Sequence, residues 1–121
     1  EGVTPLVLAA SLQHWSELKM LLEKGSRADL SGKNGRTALH WVSQAGQGDL
    51  IKQMITKGCD PNAQDAEKKT SLVKAVMNGQ EEAVTCLLEA GADVNIHDAE
   101  GRTALHYAAR GKHASIVAKL L

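Results

Sequence analysis

Four threonines, Thr4, Thr37, Thr70 and Thr103, recur every 33 residues along the chain. Leu6, Leu39, Leu72 and Leu105 follow in step, as do Gly25, Gly58 and Gly91. The pairs Leu21-Leu22, Met54-Ile55, Leu87-Leu88 and Leu120-Leu121 keep the same register. The hexapeptide GRTALH stands whole at Gly35–His40 and again at Gly101–His106. A fixed period of this length signals a stacked array, because one such unit cannot bury its apolar face alone. The period divides a single domain into units at residues 1–31, 32–64, 65–97 and 98–121, the last of them incomplete.

Each unit follows one physical script. Asp98-Ala-Glu-Gly101 has Asp at the first and Gly at the fourth position, which suits a type I turn. The Thr that follows is a good N-cap, and Pro5 falls where a first-turn proline is tolerated. A short helix then presents two stripes: Leu39, Val42 and Ser43 on one face, Trp41, Gln44 and Ala45 on the other. The first stripe stays small (Ala9-Ala10, Ala75-Val76, Ala108-Ala109), so neighbouring helices can approach closely. A second helix shows apolar spacing at Ile51, Met54 and Ile55, or Val84, Leu87 and Leu88. Gly58 and Gly91 then stand where a left-handed C-cap is wanted.

The segments Thr4-Pro-Leu-Val-Leu-Ala-Ala10, Thr37-Ala-Leu-His40, Thr103-Ala-Leu-His-Tyr-Ala-Ala109 and Leu87-Leu-Glu-Ala-Gly-Ala-Asp-Val-Asn95 resemble ankyrin repeats over essentially the whole chain. The resemblance implies an all-α repeat fold, a solenoid of about four helix-turn-helix units with projecting β-hairpin-like fingers. It also implies binding of a protein or peptide partner through the fingers and the concave inner-helix face. Departures from the pattern carry expectations of their own. Lys68 replaces the turn glycine and, if the position needs positive φ, costs up to ~1 kcal/mol relative to Gly, which marks the third finger as the loosest. Val7 and Val73 replace the motif histidine. Glu17 stands where Leu50, Ala83 and Ile116 stand elsewhere, so the second helix of the first unit should be partly exposed.

Composition narrows the function classes. Fourteen Lys plus Arg balance fourteen Asp plus Glu, so no long-range field favours nucleic acid or an anionic membrane. The chain contains no Phe, one Tyr and two Trp, which leaves small aliphatic side chains to fill thin layers. No apolar run approaches the ~18 residues of a membrane span, so membrane insertion is not expected. Two cysteines, Cys59 and Cys86, make no disulfide framework and fit a reducing compartment, cytoplasmic or nuclear. Cys86 reads as a packing residue and Cys59 as a small-residue position.

No residue is assigned to catalysis, a cofactor or a metal. His40 and His106 occupy equivalent places two units apart, about 16–20 Å at the usual helix-packing spacing, too far to share one ion. Each is expected to hydrogen-bond near its own turn; His14 and His113, matched between the two helices of their units, are read the same way. No Gly-x-Ser-x-Gly elbow is present, and Gly32-Lys-Asn-Gly-Arg-Thr37 lacks the spacing of a phosphate loop.

Individuality lies in positions that vary between units. The residue before each capping Thr is Val3, Arg36, Lys69 and Arg102, a ladder of three finger cations with Glu67 and Glu100 nearby. Solvated charge is the simpler reading, and steering of an acidic partner the more specific one. Outward positions on the inner helices read Leu8, Trp41, Lys74, Tyr107 and then Ser11, Gln44, Met77, Arg110. These side chains either shield the stack or contact a partner, and Trp, Tyr, Arg and Met are types enriched in binding patches. Partner contact is accordingly assigned to Arg36, Trp41, Gln44, Lys69, Lys74, Met77, Arg102, Tyr107 and Arg110. Leu12 and Trp15 either extend the apolar patch or pack on a further repeat. The ankyrin resemblance also makes Asn95 a candidate for hydroxylation by a dioxygenase, and Asn62 a weaker one because Pro61 replaces Val; bonding of the Asn to its own turn is the simpler reading. The chain is expected to be a piece of a longer protein and a monomer unless exposed terminal repeats associate. An alternative to partner binding is regulation in cis, with the array docked on a catalytic, channel or receptor domain of that longer protein.

Overall fold

The structure, a computed structural model, describes residues 4–25, 27 and 31–121. Among them eight short helices follow in pairs: α1 (Pro5–Ser11) with α2 (Trp15–Glu23), α3 (Ala38–Gln44) with α4 (Gly48–Thr56), α5 (Ser71–Met77) with α6 (Glu81–Glu89), and α7 (Ala104–Arg110) with α8 (Ala114–Leu120). The odd-numbered inner helices stack on one another in chain order, and so do the even-numbered outer helices. This is the all-α, two-layered repeat that the period calls for.

Helices of seven to nine residues are too short to hold themselves in water, so each is defined by its ends and its packing. The N-cap threonines do what their spacing predicts: Thr4, Thr37 and Thr70 accept from the backbone N–H three residues on, at 3.1, 3.3 and 3.2 Å. The outer helices end at Gly25, Gly58 and Gly91, with φ of 85°, 96° and 90°. Inner helices contribute Leu6, Ala10, Leu39, Val42, Leu72 and Val76 to the core, and outer helices Leu18, Leu22, Ile51, Met54, Val84 and Leu87. Glu17 is exposed and α2 buries only Leu18 and Leu22, as its substitution for an apolar residue implies. Leu105 and Ala109, in step with buried residues of earlier units, are exposed because no described unit stacks over α7.

Between units the chain forms short fingers rather than strands. One antiparallel bridge, Ser31 to Thr37, marks the second, and a 3₁₀ turn at Lys33–Gly35 closes it. In each finger the chain doubles back on itself: Gly32 N–H donates to Arg36 O at 2.8 Å, Asp65 N–H to Lys69 O at 3.0 Å, and Asp98 N–H to Arg102 O at 2.9 Å. Fingers also bond to each other, Ala66 N–H to Asn34 O at 2.8 Å and Ala99 N–H to Glu67 O at 3.0 Å. The turn position needs a left-handed residue: φ is 71° at Gly35 and 79° at Gly101. Lys68 is forced to 63° by the same hydrogen bonds, so the third turn keeps the shape of its siblings and bears strain. Lys68→Gly is expected to raise stability by about 0.5–1 kcal/mol, read as a higher urea midpoint at unchanged slope.

Candidate functional site

The inner helices and fingers carry the residues that vary between units, and the structure sorts them by exposure. Leu8 is 49 % and Met77 44 % exposed, Arg110 is exposed, and Trp41 and Gln44 are half-buried, so these five face outward as expected. Lys74 and Tyr107 do not, being only 6 % and 8 % exposed. The reason is a second role of the turn's first residue, which the sequence marked only as a turn former. Asp65 Oδ1 accepts the backbone N–H of Glu67 and of Lys69, both at 2.9 Å, and Asp98 Oδ1 accepts those of Glu100 and Arg102 at 2.9 and 3.0 Å. The second oxygen of each carboxylate is left to the residue nine positions later. In the third unit that residue is Lys74, whose Nζ lies 3.7 Å from Asp65 Oδ2. In the fourth it is Tyr107, whose hydroxyl donates to Asp98 Oδ2. Lys74 and Tyr107 are therefore internal struts between finger and inner helix. The second unit has Gly32 in place of the aspartate, so Trp41 has no such carboxylate beneath it and is half-buried, with the Arg36 guanidinium over its ring.

Electrostatics follow from this burial. Burial pushes the Lys74 ammonium below its ordinary value, and Arg36 adds to the effect while Asp65 opposes it. Burial alone would raise Asp98, but hydrogen bonds from Tyr107 and from the Arg102 and Glu100 backbone outweigh it and hold the carboxyl low. The Tyr107 phenol is raised, first by burial and then by its bond to Asp98.

The finger cations are not free charges either. Lys69 Nζ lies 3.0 Å from Glu67 and Arg102 Nη1 2.9 Å from Glu100, each within its own finger. Arg36 Nε lies 4.0 Å from Asp65 Oδ2, and its guanidinium sits over the Trp41 ring at 5.0 Å from the centroid. The ladder is thus neutralised rung by rung, which weakens it as a steering device. Val3, the first member of that register, lies outside the described residues.

Both GRTALH histidines bond at their own turns. Thr37 N–H donates to His40 Nδ1 at 3.0 Å and Thr103 N–H to His106 Nδ1 at 2.9 Å. His40 Nδ1 is thereby an acceptor, which assigns the proton to Nε2, and Nε2 reaches Lys69 O of the next finger at 2.9 Å. His40 is 1 % exposed and His106 exposed, the same motif inside and at the edge of the stack. His113 packs against Gly79 and Gly111, and no side-chain cap bond forms at either His14 or His113. Cys59 and Cys86 are buried and in no disulfide, and burial raises the Cys86 thiol. Among the described residues no three His, Cys, Asp or Glu side chains gather as a metal site would require, and no helix is long and apolar enough to cross a membrane. Asn95 is exposed, its backbone N–H held by Asp93 Oδ1 at 2.9 Å, whereas Asn62 Oδ1 accepts the Asp93 N–H at 2.7 Å.

A second feature escaped the register reading. Where α1, α3 and α5 turn back into α2, α4 and α6, a cavity of about 350 Å³ opens, lined by Trp15 and Trp41 and by amide side chains. It lies at the opposite end of the inner helices from the fingers, about 10 Å along a seven-residue helix. Trp15 lines this cavity while packing in part against the core, and Leu12 is 54 % exposed. The available signal was Gln13, which replaces the glycine found at Gly46 and Gly79.

No curated protein matches the chain. The family model for ankyrin repeats (3 copies) matches residues 1–65 and again 39–121, so both halves of the stack are covered. With its capped helix pairs, glycine-closed outer helices and hydrogen-bonded fingers in that register, the chain belongs to the ankyrin-repeat family.

Proposed function

We propose that the chain is a non-catalytic interaction module that seats a protein or peptide along the fingers and the inner-helix face. Ankyrin repeats are generally protein–protein interaction modules and typically non-catalytic. The observation that carries the reading is the outward column itself. Leu8 and Met77 remain exposed although a core cluster lies on the other side of the same helices, and Trp41 is half-buried, packed in part against that core. Exposed apolar side chains such as Leu8 and Met77 beside a partly exposed tryptophan are what an interface needs. Arg36 packed over Trp41 fixes one anchor in advance, which lowers the entropy lost on binding. Trp41, Gln44, Met77 and Arg110 are the contact residues in this proposal, and Lys74 and Tyr107 support them from beneath. An intracellular setting, cytoplasmic or nuclear, belongs to the same proposal, in keeping with two buried cysteines that form no disulfide.

The test is affinity capture with the chain as bait, followed by surface variants. Trp41→Ala combined with Met77→Ala should reduce recovery of the captured protein at least about tenfold while helical circular dichroism is unchanged. Lys52→Ala on the outer layer should leave capture intact. Equal capture by the double variant would sink the assignment of this face.

A further inference from the structure

Protein binding requires a partner of some chemistry, and the cavity at the inner-helix ends specifies one. Its lining carries no charged side chain. Both tryptophans of the chain, Trp15 and Trp41, face it. Around them stand the amides of Gln13, Gln44, Gln47 and Gln80. The side chains of Gln13, Gln44 and Gln47 make no hydrogen bond to other described residues, and neither indole N–H has an acceptor there. Gln80 is the fixed member. Its Nε2 donates to Gln44 O at 3.1 Å, and its amide lies so close to Gly46 that a Cβ added there would come within 2.5 Å of Oε1. Gln13 is at φ 61°, a left-handed conformation that glycine adopts at Gly46 and Gly79. The first unit thus carries an amide at the cavity rim where glycine would sit without strain.

Resting on the interaction-module reading, we infer that this cavity binds an uncharged, proline-containing peptide segment in the polyproline II conformation. The indole and amide N–H groups that lack acceptors match a backbone that displays carbonyls and few N–H donors, as a polyproline II segment does. The spacing agrees as well. Units of the stack succeed one another at roughly 8–10 Å, and a polyproline II helix repeats every three residues, about 9.3 Å. Equivalent ridges of such a peptide therefore meet Gln13 and Trp15 in the first unit, Gln44 and Gln47 in the second, and Gln80 in the third. An acidic or basic segment would find no counter-charge in this lining.

Both tryptophans line the cavity, so indole emission reports on it, and Trp15, which the proposed finger and inner-helix contacts do not include, separates the cavity from that face. The chain is titrated with an end-capped peptide of repeated Pro-Pro-Leu triplets, with the same composition shuffled out of triplet register, and with a neutral glucose oligosaccharide. The triplet peptide should shift the emission saturably and bind at least about tenfold tighter than the shuffled one. Gln13→Gly should weaken that binding several-fold while raising the unfolding midpoint, a combination that damage to the fold cannot produce. Trp15→Ala should weaken it further. No shift up to millimolar triplet peptide, a saturable shift with the oligosaccharide instead, or binding unaffected by both Gln13→Gly and Trp15→Ala would each overturn the inference. Capture that depends on Trp41 and Met77 but survives Gln13→Gly and Trp15→Ala would leave the interaction-module reading standing and remove only the ligand proposed here.

Discussion

Asp65→Ala is expected to cost about 3–5 kcal/mol, the largest effect of any single polar substitution in the chain. Asp65 is 6 % exposed, and its carboxylate does three things at once. It accepts the Glu67 and Lys69 backbone N–H groups that shape the finger, and it is the counter-charge of buried Lys74 and of Arg36. Alanine leaves the Lys74 ammonium buried without its counter-charge, and an uncompensated buried charge is more costly than a lost ion pair is valuable. Urea unfolding followed by circular dichroism measures the loss. Adding Lys74→Met to Asp65→Ala should recover much of it, since the orphaned charge then disappears; purely additive destabilisation would show that the pair is not coupled. In the fourth unit the equivalent strut is neutral on one side, so Tyr107→Phe should cost only about 1 kcal/mol.

His40→Ala should cost about 2–4 kcal/mol, and His106→Ala about 0.5–1 kcal/mol, although the two histidines sit in identical hexapeptides. His40 is buried and joins Thr37 to Lys69 O of the next finger, so its loss strands a donor and an acceptor away from water. His106 makes only the local bond, and water reaches what it leaves behind. The same contrast gives a pH signature. Burial is the main force on the His40 imidazole and lowers its value, the Lys69 carbonyl pulling partly the other way. With the folded value depressed, the unfolded chain binds the extra proton. Stability is therefore fully present above the unfolded value, about 6.5, and falls as pH drops through it toward the folded value. Protonation also takes the Nδ1 lone pair that accepts Thr37 N–H. The melting temperature should fall from pH 7 to pH 5 in the natural chain, with a clearly shallower slope in His40→Ala. Asp98, held low, loses its contribution only at more acid pH, below the ordinary carboxylate value near 3.9. Equal slopes in the natural chain and His40→Ala between pH 7 and pH 5 would contradict the assignment.

Sequence periodicity by itself determined the architecture of this protein. The capping threonines, the closing glycines and the apolar spacings each act within a few residues, through helix ends and turn geometry, so a fixed register reports them directly. Even the strain at Lys68 was legible, because its siblings at that position are glycines. What the register did not determine is which way a variable residue faces. Trp41, Lys74 and Tyr107 hold one position in three units, yet Trp41 stays half-buried while the other two are drawn in. The difference lies in Gly32, Asp65 and Asp98, nine residues earlier in each unit, where a second carboxylate oxygen either exists or does not. Likewise the two GRTALH copies are the same words with different energies, since only stacking decides that Lys69 O stands over His40 and that no described unit covers Leu105 and His106. The amide-lined cavity belongs to the same class: its walls come from three units and become a site only when the helices are packed side by side. Local backbone chemistry is written in sequence spacing, whereas burial and the pairing of polar atoms depend on neighbours about 30 residues away, and only the tertiary structure brings those together.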